Sequence, residues 1–236
     1  MSGPSGWGAP PSGRREAVRV KTAGKRSVSS KRWLERQLND PYVAEAQRQG
    51  LRSRAAFKLL QLDEKFHLLS PGKRVVDLGA APGGWTQVAM RRVRPDTAGG
   101  RGRVGCVVGI DLLEIDPIPG AVLLQGDFLD ETALERLRAT LDGPADVVLS
   151  DMAAATTGHG QTDYLRTMAL AEVAHAFACE VLTPGGVFVC KLFQGGAERV
   201  LLEQIKRDFA QVRNAKPPAS RSDSRESYLV ATGFRR

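Results

Sequence analysis

The sequence predicts an α/β fold: a mostly parallel, seven-stranded sheet with helices on both faces. Three observations predict it. Residues 75–78 form a short apolar run, Gly79-Ala80-Ala81-Pro82-Gly83-Gly84 breaks it, and residues 85–90 resume with helical spacing. Strand, glycine-rich turn and helix in that order open a Rossmann-like nucleotide-binding unit. From Arg74 onward, apolar runs alternate with helical patterns, and acidic residues (Asp111, Asp127, Asp151) collect at the ends of those runs.

In chain order, residues 1–30 are Gly, Pro, Ser and basic residues with few apolar anchors, and are expected to be a disordered arm before a domain spanning 31–236. Trp33 and Leu34 sit on a short helix. Asn39-Asp40-Pro41 is a turn and helix start, proline being acceptable at the first helical position, and Gly50 ends that helix. Ser53 reads as the N-cap of a helix that turns Ala56, Leu59, Leu60 and Phe66 inward, closed by Pro71-Gly72. After the first strand and its helix come strands at 104–110, 121–124 and 146–149. A long helix follows from about Tyr164 to Leu182. Pro184-Gly185-Gly186 turns into a strand at 187–191. Residues 198–208 are helical, and the last two strands fall near Val212 and at 228–232.

Composition narrows the setting. The 236 residues are 42% hydrophobic, enough for one large core, and no apolar run reaches the roughly 18–20 residues of a membrane span. Cys106, Cys179 and Cys190 lie in apolar surroundings without C-x-x-C spacing, which reads as reduced thiols in a cytoplasmic protein with no metal site. The net charge is +8, and residues 1–32 alone carry +7 of it. Such an arm suits phosphate neutralisation, although a solvated tail has the same composition. No apolar segment follows the charges, so a signal peptide is excluded. The Gly/Pro content of the first 13 residues argues against an amphipathic transit helix.

Ligands of doubly wound sheets sit outside the carboxyl ends of the strands. The turn at 79–84 lacks the G-x-G-x-x-G spacing of a dinucleotide site, and Pro82 removes a backbone donor, so a cofactor without phosphates suits it better. Asp111 is placed to accept from ribose hydroxyls. Asp127, or the backbone of Phe128, is placed to meet an adenine amino group, with Phe128 as an apolar wall; Asp127 also reads as a helix N-cap. Lys191 ends a Val/Cys-lined strand. Desolvation there, and Lys58 if it is near, lower the ammonium pKa, while Asp151 opposes them. Taken alone, Lys58 also reads as a surface lysine. A positive groove is expected from the arm, Arg32, Arg36, Arg52, Arg54 and the loop 216–225.

The string D-L-G-A-A-P-G-G-W at 77–85 resembles the fingerprint of the FtsJ/RlmE family of ribose 2'-O-methyltransferases, D-L-G-x-x-P-G-G-[WF]. The stretch S-R-A-A-F-K-L at 53–59 resembles the same family's S-R-[AS]-x-[YF]-K-L. Lys58, Asp151, Lys191 and Glu226 match in type and order its K-D-K-E tetrad. The resemblance covers about residues 31–236 and departs at Met152-Ala153-Ala154-Ala155, where many relatives read M-A-P-N.

The resemblance implies a class I S-adenosylmethionine-dependent methyltransferase fold. It implies a cofactor held by Gly79, Pro82, Gly83, Gly84, Trp85, Asp111, Asp127, Phe128 and Asp151. The implied reaction is a metal-free in-line transfer to a uridine 2'-oxygen of 23S large-subunit ribosomal RNA. Lys191 would orient the hydroxyl and take its proton, Asp151 would position Lys191, and Lys58 and Glu226 would complete the set. The implied partner is ribosomal RNA within the large subunit or its precursor, met by a monomer. Three competitors remain: a tRNA ribose methyltransferase, a nicotinamide-dependent oxidoreductase, and a non-catalytic RNA-binding assembly factor.

Overall fold

A computed structural model describes residues 28–94, 104–155, 157–193 and 198–236. The arm up to residue 27 lies outside the described residues. The elements are α1 (Val28–Leu38), α2 (Pro41–Arg48), α3 (Ala56–Phe66), β1 (Arg74–Leu78), α4 (Gly84–Val93), β2 (Cys106–Asp111), β3 (Val122–Gln125), α5 (Glu131–Leu141), β4 (Ala145–Ser150), α6 (Gly160–Val181), β5 (Leu182–Phe193), α7 (Glu198–Asp208), β6 (Phe209–Ala215) and β7 (Glu226–Phe234). The seven strands form one sheet in the order β3-β2-β1-β4-β5-β7-β6.

Period-2 alternation divides the strands between two cores. Val76, Leu78, Val108, Ile110, Val148, Phe188 and Leu229 pack with α5, α6 and α7. Val75, Val107, Val147, Leu149, Val189, Tyr228 and Val230 pack with α2, α3 and α4. Burial on both faces is why the strands read as continuous apolar runs.

The strands β1 to β5 are parallel, whereas β7 runs antiparallel to both β5 and β6. The reversal positions the site. Glu226 opens β7 opposite Phe193, and Tyr228 lies opposite Lys191. The start of β7 therefore reaches the edge where the parallel strands end.

Several expectations are corrected. Ser53 does not cap α3; the cap position is Ala55, without a side-chain hydrogen bond, and the Ser53 hydroxyl is buried without a partner. Strand β5 begins at Leu182 and carries Pro184-Gly185-Gly186 within it, where its register against β4 shifts. Helix α5 escaped the sequence reading; Asp130, not Asp127, is its N-cap, accepting from the Thr132 N–H. Cys179 is not in apolar surroundings. Its sulfur lies 3.3 Å from His175 Nε2 and 3.7 Å from Asp208, and burial beside that carboxylate pushes its thiol up to about 11.

Candidate active site

The four residues of the tetrad come from four separate elements and meet. Lys58 projects from α3, Asp151 follows β4, Lys191 lies near the end of β5, and Glu226 opens β7. The Lys58 ammonium is 2.8 Å from Glu226 Oε1. The Lys191 ammonium is 2.8 Å from Asp151 Oδ1 and donates to the Asp151 carbonyl at 2.6 Å. Sequence reading missed the residue that joins the two pairs. Tyr228 accepts from Lys58 at 3.1 Å and donates its phenolic proton to Asp151 Oδ1 at 2.6 Å. The result is one polar chain, Glu226–Lys58–Tyr228–Asp151–Lys191. The available signal was the E-x-Y spacing on a strand, which puts both side chains on one face.

The chain is nearly dry. Lys58 is 6% exposed and Lys191 9%. Two ammoniums there need two carboxylates, and the balance of charge is what makes burial tolerable. Burial pushes the Asp151 carboxyl up, but the charges of Lys191 and Lys58, with the hydrogen bonds from Lys191 and Tyr228, hold it below its ordinary value. Burial drives the Tyr228 phenol well above its usual range, reinforced by Asp151 and Glu226, so it stays a proton donor. Its ring lies 5.6 Å from that of Trp85, which fixes the phenol in place. Removing the hydroxyl alone tests this role. Tyr228→Phe should keep the ring packing and lower turnover about 10- to 150-fold, the worth of roughly 1.5–3 kcal/mol for one buried hydrogen bond to a charged group. Steady-state rates beside thermal melts are the check.

The expected cofactor residues surround the carboxyl ends of β1 to β4. Gly79 and Gly83 take φ of +76° and +106°, open to glycine at little cost. The space their missing side chains leave is occupied by protein. A β-carbon on Gly79 would meet Met152, and one on Gly83 would meet Ile118 and Arg52. The glycines are thus required by packing as well as by ligand approach. Asp111 is wired into the same turn, one oxygen accepting from Ala81 N–H at 2.9 Å and the other from Leu113 N–H at 2.9 Å. Each oxygen keeps a lone pair for a hydroxyl. Asp127 is exposed and accepts from Leu129 N–H at 2.9 Å. The Phe128 ring does not form an open wall: it is 5% exposed and packs edge-on to Phe177 at 5.5 Å. Trp85 is buried too, its indole N–H donating to the Ala55 carbonyl at 2.8 Å.

Three expected groove residues are otherwise engaged. Arg52 donates to the carbonyls of Asp116 (2.6 Å), Pro117 (2.8 Å) and Pro82 (3.3 Å), strapping the segment after β2 onto the glycine turn. The five donors of a guanidinium suit such a strap. Arg54 is 2.8 Å from Asp40 and donates to the Ala219 carbonyl at 2.6 Å. Lys216 closes its own loop through the carbonyls of Ser222 and Ser224. The side chain of Arg32 lies outside the described residues.

At the end of β1, Asp77 is fully buried. Thr86 donates to one of its oxygens at 2.6 Å, and the other has no partner. Burial raises its pKa from 3.8 to about 7; the Thr86 bond opposes this, and Asp151 and Asp111 add to it. The folded state therefore binds this proton more tightly than the unfolded chain. The stability it contributes is present below pH about 3.8 and is lost as pH rises to about 7. Asp77→Asn should remove that slope. Urea melts should show the variant gaining on the wild type between pH 5 and pH 8. A gap that stays constant would contradict the reading. The orphan oxygen beside the glycine turn also suits a cationic group of a bound cofactor, such as the amino group of an amino-acid moiety.

A Rossmann-like sheet with a glycine turn, acids at its strand ends and a paired Lys/acid cluster defines a methyltransferase that uses S-adenosylmethionine. The chain belongs to the FtsJ-like methyltransferase family, whose pattern matches residues 51–234. A protein of Paramagnetospirillum magneticum named ribosomal RNA large subunit methyltransferase E is 63% identical over 234 residues, 99% of this chain and 93% of that one. Its counterpart by name in Acidiphilium cryptum is 64% identical over 222 residues, covering 94% of each chain. Among solved structures, a Plasmodium falciparum protein described as a ribosomal RNA methyltransferase superposes with a TM-score of 0.66 at 29% identity. The match covers 78% of this chain and 98% of that one. Among the described residues, no helix is long and apolar enough to cross a membrane.

Proposed function

We propose that this protein methylates the ribose 2'-hydroxyl of a uridine in 23S large-subunit ribosomal RNA, with the RNA presented by the subunit or its precursor. The observation that carries the reading is the unbroken chain from Glu226 to Lys191 beside the glycine turn. Relatives 63–64% identical and named ribosomal RNA large subunit methyltransferase E support it. When bound, S-adenosylmethionine supplies an electrophilic methyl group.

The residues of the chain supply the rest. An ammonium has three donors, and Asp151 occupies two directions around Lys191, which leaves one for the 2'-oxygen. Lys191 orients the hydroxyl through that direction and, as the neutral amine, receives its proton as the oxygen becomes nucleophilic. Asp151 holds Lys191 by charge and by its carbonyl. Tyr228 and Lys58 hold Asp151, and Glu226 offsets the charge of Lys58. Burial fixes all five in place, so most of the rate comes from alignment.

The test is methylation in vitro of large subunits from a strain lacking the orthologous enzyme, followed by mapping of 2'-O-methyl groups. One modified uridine in 23S RNA is expected. Methylation of a base, or of transfer RNA in preference, would overturn the reading.

A further inference from the structure

Beside the Lys58–Glu226 end of the polar chain lies a cavity of about 470 Å³ that the reaction itself does not use. Its size is within the roughly 300–1,000 Å³ of ligand pockets. Its walls include Arg36 of α1, Arg54, Arg221, Ser224, Lys58 and Glu226. No lining residue comes from the glycine turn or from the segments after β2 and β3, so the cavity is not cofactor space. Sharing Lys58 and Glu226 with the polar chain, but neither Asp151 nor Lys191, it lies at the end of that chain away from the acceptor oxygen, a place for a neighbouring nucleotide rather than the methylated one.

The charges on its walls are unequal. Asp40 Oδ2 is 2.8 Å from Arg54 and 3.4 Å from Arg221, so one carboxylate serves two guanidiniums. Arg54 is locked: its side chain is 16% exposed and also bonded to the Ala219 carbonyl. Arg221, with 29% of its side chain exposed, holds the longer contact and keeps donors to spare. Arg36 also lines the cavity and is exposed, with no ion pair among the described residues. Lys58 and Glu226 cancel, and Asp223 offsets one guanidinium, so the remaining positive charge faces the cavity. Two guanidiniums lining one cavity suit a monoanion with several acceptor oxygens, such as a phosphodiester.

Resting on the function proposed above, we infer that this cavity seats the nucleotide adjoining the methylated one, and that Arg221 and Arg36 hold the phosphodiester linking the two. The arginines act in binding the substrate and take no part in the proton transfer.

Substrate subunits reconstituted with a neutral methylphosphonate at one linkage beside the target provide the test. Arg221→Ala and Arg36→Ala should each raise KM for the normal subunit about 5- to 30-fold and change kcat much less. Each should flatten the salt dependence of kcat/KM by about one ion. The methylphosphonate should cost the wild type a similar factor at one of the two flanking linkages. Combining it with either substitution should cost no more than either change alone. Costs that multiply at both linkages, or a KM that neither variant moves, would overturn the inference. Arg36 is exposed on a surface helix, so its variant decides the matter even if Arg221→Ala disturbs the 216–225 loop. A wild type that forms no 2'-O-methyl product would instead sink the parent reading.

Discussion

Lys191→Ala should abolish measurable methyl transfer, lowering kcat by about 10²- to 10⁴-fold, while S-adenosylmethionine still binds. The expectation follows from what the alanine removes. Lys191 keeps a donor direction that no other member takes and sits near the end of β5 beside Asp151, whereas Lys58, with a direction equally to spare, stands at the Glu226 end of the chain. Among the described residues, Asp151 is the expected cofactor residue that Lys191 hydrogen-bonds or pairs with, so equilibrium binding of the cofactor should change little. Lys191→Arg separates the two parts of the role. A guanidinium keeps the charge beside Asp151 but does not accept a proton at any accessible pH. If orientation alone mattered, arginine would restore most of the rate. If the amine takes the proton, arginine stays inactive. A tritiated-methyl assay reads both outcomes. Full turnover by Lys191→Ala would remove the residue from the mechanism.

The sequence carried much of this site because the chemistry needs rare residue types at topologically fixed places. A lysine closing a Val/Cys strand and aspartates at three strand ends stand out from a surface pattern, and the parallel sheet gathers strand ends at one edge. Tyr228 stayed hidden because an aromatic residue in a strand reads as core, which its ring also is. Only the direction of β7 brings its hydroxyl between Lys58 and Asp151, and period-2 alternation is blind to strand direction. The fate of each arginine was equally illegible. Arg52 and Arg54 are basic residues near the site, yet carbonyls of distant segments claim them, at separations of 64 and 165 residues. Composition counts a charge; only the fold shows whether it is spent. Helix α5 was missed for a smaller reason. Its apolar face, Leu134, Leu137 and Leu141, is short and lies among charged residues.

Asp151→Asn should cost stability as well as activity. In the wild type, two buried ammoniums face two carboxylates, and Tyr228 donates to the same Asp151 oxygen that Lys191 contacts. Asparagine keeps the shape and one acceptor but leaves the cluster one positive charge in excess. Removing one partner of a buried ion pair costs about 3–5 kcal/mol, and for a chain of this size that lowers Tm by roughly 6–20 °C. The pH dependence has a definite sign. The folded-state pKa of Asp151 is depressed below 3.8, so its contribution is fully present above that value and is lost as pH falls through the folded pKa. The stability gap between wild type and Asp151→Asn should therefore be wide at pH 7 and should close in acid. Lys191→Ala provides the contrast. With that lysine gone, burial, the largest influence on Asp151, goes less opposed and its pKa climbs, so this variant should regain stability on mild acidification. Between pH 7 and pH 4, melts should show Lys191→Ala gaining stability relative to Asp151→Asn, which has no carboxyl there to protonate, if the charges balance as the geometry places them. Parallel responses would mean that Asp151 is held by hydrogen bonds alone, and that the two lysines do not share its charge.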